Sequence, residues 1–205
     1  LENRALSKYI YRNSNQINYK DEDELIDLLK NSSLLENRFN FIYYPKIDIA
    51  AHLFGVGSEE WKKEIKIFED IVQVINKSSI RKTYTLISAD HGLTNIEEES
   101  RFNLEYSESV EVFGDQRAVY VNGPEEEVKK VFENVPGNFI TKNELELLIG
   151  KSENEYMNRL IPEYCFLVDK GNIIFPKHLK ADLVGYHGGL TDEEMKIPLI
   201  EFSNF

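Results

Sequence analysis

Residues 83–94 read TYTLISADHGLT. The apolar positions Tyr84, Leu86 and Ile87 predict a buried core strand, and Ser88-Ala89 end it just before Asp90-His91-Gly92. Polar groups at the carboxyl end of a core strand lie where open α/β sheets place their ligands. Asp90 offers an oxygen donor and His91 a nitrogen donor for a divalent metal, and Gly92 permits a sharp turn. Alone, such a triplet is more often an ordinary loop than a metal site. Two further histidine clusters give it weight.

Upstream, residues 40–44 (NFIYY) read as a strand stopped by Pro45. Asp48 and His52 then follow, four apart, so one face of a helical turn would carry both. Gly55 and Gly57 come next, and Ser58 caps a helix with Glu59 and Glu60 in its first turn. Along it Trp61, Ile65, Phe68, Ile71, Val72 and Ile75 form one apolar stripe. Strand, helix and the strand at 83–88 have the rhythm of a βαβ unit and so of a parallel sheet. Residues 1–20 are polar without a clear period, and 21–30 form a short helix capped by Asp21 or Asp23.

Downstream, residues 97–115 are acidic and read as an irregular surface excursion. Arg117 to Val121 is a strand; Pro124 opens a helix burying Val128, Val131, Phe132 and Val135; Thr141-x-x-Glu144 is a capping box opening another helix. Tyr164–Val168 and Ile173–Phe175, split by 169–172, read as a hairpin. The fold class expected is α/β: a mainly parallel sheet flanked by helices in residues 1–111 and 181–205, with a small α+β subdomain inserted at 112–180. The chain closes on His187-Gly188-Gly189, a second capping box at Thr191-x-x-Glu194, and a last strand at 197–202.

With 24 basic and 36 acidic residues, a net charge of −12, the chain has no basic patch for duplex nucleic acid. Metal ions could still hold a polyanionic substrate locally. No apolar run reaches the roughly 20 residues of a membrane span, and no signal-peptide pattern opens the sequence. The single cysteine, Cys165, cannot form an internal disulfide, which fits a reducing, cytoplasmic setting.

Asp48-x-x-x-His52-x-x-Gly55, Asp90-His91-Gly92 and His187-Gly188-Gly189, with Met195 and Pro198 downstream, stand in the order found in the alkaline phosphatase superfamily. The chain resembles the type I phosphodiesterase/nucleotide pyrophosphatase branch. The resemblance implies a two-metal phosphoryl-transfer site: one ion on Asp48, His52 and His187, and a second on Asp90 and His91 together with an earlier Asp and a nucleophilic Thr or Ser. Two cations about 4 Å apart clamp the attacking and leaving oxygens of an in-line displacement. Zinc suits such donors, with manganese as competitor. A small phosphorylated substrate, a nucleotide among the candidates, would be the partner.

Two departures stand out. Ala51 occupies a position where the family usually has Gly. More seriously, residues 1–40 contain no apolar strand ending in Asp, and Ser7, Ser14, Ser32 and Ser33 lie in polar stretches. The expectation is therefore that the nucleophile is absent from this chain, which would be the carboxyl-terminal part of a longer enzyme. The open strand edge left behind would be a place for a second copy to pair. The alternatives are a phosphomutase or phosphomonoesterase using the same ligands, or a non-catalytic metal-binding module. Outside the clusters, the plainer readings prevail: His178 at the surface, Arg117 solvated or ion-paired rather than on a phosphate, Tyr43 and Tyr44 in a core rather than on a base, and Cys165 a buried inert thiol.

Overall fold

Helix α1, Glu22–Lys30, begins where its cap dictates: the Asp21 carboxylate accepts from Glu24 N at 2.9 Å. The structure, a computed structural model, describes residues 9–31, 39–77, 83–177 and 183–204. Ser7, Ser32, Ser33 and His178 lie outside the described residues. Contacts divide those described into two compact units, one drawn from 1–44, 63–86 and 200–205 and the other from 45–62 and 87–199.

In the first unit Leu25 and Leu29 are buried with Ile71, and Tyr44, Ile67 and Val74 close around them. Each such aliphatic side chain contributes about 1.5–3 kcal/mol on burial. The two last named, like Ile71, belong to helix α3, Glu59–Lys77, capped by Ser58 Oγ accepting from Trp61 N at 3.1 Å. Residues 40–44 are not a strand. They are irregular, and Phe41, Ile42 and Tyr43 are exposed. Aromatic and β-branched residues favour a strand only where a neighbouring strand and a packed face complete it, and no described strand pairs here. The βαβ reading thus loses its first strand. Strand β1, Thr83–Ser88, does form and pairs with β10, Leu199–Asn204. It is not the buried strand expected: Tyr84 and Leu86, on one face of the period-2 alternation, are 58% and 55% exposed. A two-stranded ladder has no layer of its own to cover that face.

The second unit is built on a four-stranded antiparallel sheet in the order β4 (Glu111–Gly114), β5 (Ala118–Asn122), β7 (Tyr164–Val168), β6 (Gly137–Thr141). Val119 and Val121 alternate inward from β5 and meet Phe166, Val168, and Val128 and Phe132 of helix α4, Glu125–Phe132. The Phe132 ring lies 4.6 Å from that of Phe166. Helix α5, Lys142–Ile149, has the capping box expected at Thr141 and Glu144. Helix α6, Glu155–Arg159, leads on to β7.

Two connections differ from the sequence reading. The segment after Glu97 is not irregular throughout: a 3-10 turn, Glu98–Ser100, runs into β3, Arg101–Asn103, before β4. Nor do β7 and Ile173–Phe175, strand β8, form a hairpin: β7 sits between β5 and β6, and β8 pairs in parallel with β3. The chain at 116–117 wedges them apart, since the Arg117 carbonyl accepts from Val168 N (3.2 Å) and the Gln116 carbonyl from Ile174 N (3.1 Å). A mainly parallel sheet is therefore not what the described residues show. They hold helices and small sheets, with the β3–β8 pair parallel and the largest sheet antiparallel, as the short 115–117 link between β4 and β5 requires. No helix among the described residues is long and apolar enough to cross a membrane.

Candidate active site

Helix α2, Lys46–Phe54, carries Asp48 and His52 on one face, His52 Nε2 lying 3.4 Å from Asp48 Oδ1. His52 Nδ1 is 2.8 Å from the Gly185 carbonyl oxygen. A carbonyl only accepts, so Nδ1 carries the proton. In the neutral ring Nε2 then presents a lone pair to Asp48 Oδ1, a buried oxygen without any hydrogen-bond donor. Two acceptors face each other across a gap that calls for a cation or a proton.

The same arrangement recurs, more loosely, in the loop after β1. His91 Nδ1 stands 3.1 Å from the Gly92 carbonyl oxygen and Nε2 3.7 Å from Asp90 Oδ1, with Asp90 exposed.

Strand β9, Gly185–Tyr186, brings these parts together. It pairs antiparallel with β2, Thr94–Asn95, in the register Thr94↔Tyr186 and Asn95↔Gly185. On its other side lies the end of α2: Val184 N donates to the His52 carbonyl at 2.8 Å, and a Cβ on Gly185 would stand 2.4 Å from the Ala51 carbonyl oxygen. The close approach of the two backbones at Ala51 is thus permitted by the glycine on the facing strand. His91 lies three residues before β2 and His187 directly after β9, so antiparallel pairing sets both at one end of the ladder. The His187 ring stacks on His91 at 3.6 Å between centroids, and its centroid is 5.3 Å from that of His52. Burial pushes the His187 pKa below its ordinary 6.5, the neighbouring His91 and His52 push the same way, and Asp115 and Asp48 oppose them in part.

The structure therefore gathers His52, His91 and His187 and sets a carboxylate beside each of the first two. Among the described residues, no three or more His, Cys, Asp or Glu side chains are arranged as a ready-made metal cage.

Of three further residues, Asp115 escaped the sequence reading, Arg117 is ion-paired as read, and Glu194 has a different role from the capping box expected. Asp115, whose carboxylate accepts from Gln116 N at 2.7 Å, adds negative charge beside His187. Arg117 is fully buried: Nε and Nη2 donate to the Glu194 carboxylate at 2.9 and 2.7 Å, and Nη1 donates to the carbonyls of Asp169 and Asn172. That guanidinium is committed and is not a phosphate contact. Glu194, 2% exposed, belongs to the one-turn helix α7, Asp192–Met195, and does not close a capping box, since Thr191 makes no side-chain cap bond. Its carboxylate accepts instead from Arg117, from Gly189 N (2.9 Å) and from Thr191 Oγ1 (2.7 Å), and its carbonyl accepts from Gly92 N (2.7 Å). Burial alone would push the Glu194 carboxyl up; the hydrogen bonds from Arg117, Thr191 and Gly189 outweigh it and hold the group below its ordinary 4.5. Arg117 at a strand start and the Thr191-x-x-Glu194 pattern were both visible in the sequence, but the two partners lie 77 positions apart and nothing local links them.

Comparison with known proteins adds a family and a fold. The family model for type I phosphodiesterase / nucleotide pyrophosphatase matches residues 5–185. Among solved structures, the chain is similar to murine ectonucleotide pyrophosphatase / phosphodiesterase 5 (TM-score 0.65, 15% identity, 89% of this chain and 53% of that one). It is likewise similar to the human protein of that name (0.66, 16%, 90% and 54%). A third likeness is to phosphonoacetate hydrolase from Sinorhizobium meliloti 1021, solved in complex with phosphonoacetate (0.57, 13%, 75% and 43%). The murine protein has also been solved as an inactive variant in complex with AMP. At these identities the likeness shows the shared, alkaline phosphatase-like fold, and the chain spans about half the length of these proteins. No curated protein matches.

Proposed function

The chain belongs to the type I phosphodiesterase / nucleotide pyrophosphatase family, and from that premise we propose that it supplies the histidine half of a divalent-metal phosphohydrolase acting on phosphodiester or nucleotide pyrophosphate bonds. The observation that carries the reading is the pair of facing acceptors, His52 Nε2 and Asp48 Oδ1, 3.4 Å apart with no donor between them. That separation is about the edge of a tetrahedron whose metal–ligand bonds are about 2.1 Å. The donor set fits the group: Asp48, His52 and His187 would hold one ion, and Asp90 with His91 part of a second. Zinc or manganese bound there would supply charge against the phosphoryl oxygens and an acidified hydroxyl.

What the chain's own residues do follows from their surroundings. The Gly185 carbonyl fixes the His52 tautomer, the kind of outer contact that orients ligating imidazoles. Burial keeps the His187 ring unprotonated at neutral pH, so a nitrogen lone pair is available there. Asp115 adds a counter-charge beside that ring. We place the nucleophilic Thr or Ser hydroxyl outside this chain. The AMP complex of the murine relative makes a nucleotide the substrate class to try first.

The test is zinc and manganese content by elemental analysis after loading, for the parent chain and for Asp48→Ala and His52→Ala. About one ion per parent chain, lost in both variants, is expected. The full-length gene product should cleave bis(p-nitrophenyl) phosphate faster than p-nitrophenyl phosphate. A parent chain that takes up neither ion would sink the reading.

A further inference from the structure

Glu194 stands at the meeting point of the two loops that carry His91 and His187, and nothing in the family match accounts for it. Its main-chain oxygen takes the Gly92 N–H at 2.7 Å, one residue after His91; its side chain takes the Gly189 N–H at 2.9 Å, two residues after His187. Both glycines are needed for that approach. A Cβ on Gly92 would meet the Glu193 carbonyl oxygen at 2.0 Å, and one on Gly189 would meet Glu194 Oε2 at 2.7 Å and Arg117 Nη2 at 2.9 Å. The carboxylate is itself held from behind by Arg117, whose Nη1 donates to the carbonyls of Asp169 and Asn172 in the 169–172 turn.

We propose that Glu194, clamped by Arg117, is the positioning residue of the histidine cluster, setting the spacing between the His91 and His187 rings. It acts through the two backbones, at Gly92 N and Gly189 N. His52, pinned separately by Gly185, is outside its reach. The significance of that spacing for metal binding rests on the phosphohydrolase reading; the spacing itself does not.

The experiment separates the two. Imidazole resonances of the parent chain, assigned with His→Gln variants, are compared with those of Glu194→Ala and the milder Thr191→Val, which removes one hydrogen bond to the same carboxylate and leaves Arg117 in place. Zinc affinity is measured by calorimetry on the same samples, and Trp61 fluorescence reports whether each is folded. The His91 and His187 resonances should move together in both variants, more in Glu194→Ala, while those of His52, 5.3 Å from the His187 ring, move least. Zinc binding should weaken about 10–100-fold, the usual cost of removing an outer-shell support. A generally loosened fold would move all three rings alike. Unmoved His91 and His187 resonances in a folded Glu194→Ala overturn the proposal, and if that variant does not fold, unmoved resonances in Thr191→Val do so. Rings that move in a chain that binds no zinc support the positioning role and overturn the metal reading instead.

Discussion

Replacing Arg117 with Met is the perturbation whose size follows most directly from the structure. Arg117 is fully buried, Glu194 is 2% exposed, and they share two hydrogen bonds of 2.9 and 2.7 Å. Removing the guanidinium strands a buried carboxylate, which costs about 3–5 kcal/mol when one partner of such a pair is lost. Glu194 keeps Gly189 N and Thr191 Oγ1 as donors, which lowers the figure. The carbonyls of Asp169 and Asn172 lose a shared donor, which raises it by about 1–3 kcal/mol where water cannot replace it. These corrections offset each other, so about 4 kcal/mol is expected, a large share of the usual 5–15 kcal/mol. Urea unfolding followed through Trp61, the chain's one tryptophan and part of the same unit, reads this out. Arg117→Met combined with Glu194→Gln leaves neither charge buried, so the double variant should be more stable than the sum of the single losses by about 2–3 kcal/mol, at the upper end of measured couplings. A cost below about 1 kcal/mol for Arg117→Met, the range of a solvated surface pair, would refute the view that water is excluded from this contact. So would strictly additive single variants.

Two further outcomes are expected. Because His187 titrates below its ordinary 6.5 in the folded chain, the unfolded state binds its proton first as pH falls. Its contribution to stability is thus complete above about pH 6.5 and is lost on acidification through the lower folded value; the fall in melting temperature from pH 7.5 to 5.5 should shrink in His187→Gln, and an unchanged fall would exclude His187 as its source. Burial pushes the Cys165 thiol up to about 11, so iodoacetamide at pH 8 should label it only under denaturing conditions, and rapid labelling of the native chain would contradict its buried place in β7.

The candidate site was legible because its chemistry is written in short local spacings. Asp48 and His52 four apart, Asp90 beside His91, and a histidine before two glycines can each be read without knowing the fold. The architecture was less so, for reasons particular residues make plain. Thr141-x-x-Glu144 and Thr191-x-x-Glu194 are the same pattern, yet only the first closes a capping box. Glu144 is exposed and meets no stronger donor than the Thr141 backbone N–H and hydroxyl. Glu194 meets a buried guanidinium, and a charge-assisted pair outcompetes a neutral N–H. Similarly, β-formers at 40–44 and 83–88 suggested two buried strands, but whether such a run pairs, and whether its face is covered, depends on neighbours that no local window contains. The 164–175 segment failed as a hairpin for the same reason: Gln116 and Arg117, some fifty residues earlier, take the hydrogen bonds the two strands would have exchanged.

The contact between His52 and Gly185 joins positions 133 apart in the chain. Each doubling of a closed loop costs about 0.6 kcal/mol in chain entropy, so bringing these ends together costs roughly 3 kcal/mol more than closing a four-residue turn. Local pieces such as the β4–β5 ladder have no such barrier and should form early. On a ribosome, β9 emerges long after α2 and β2 have left the tunnel, and until it slots between them the three imidazoles have no common address. The histidine cluster is therefore a late event in the molecule's life, and ring stacking between His91 and His187 should serve as a clock for the completion of folding.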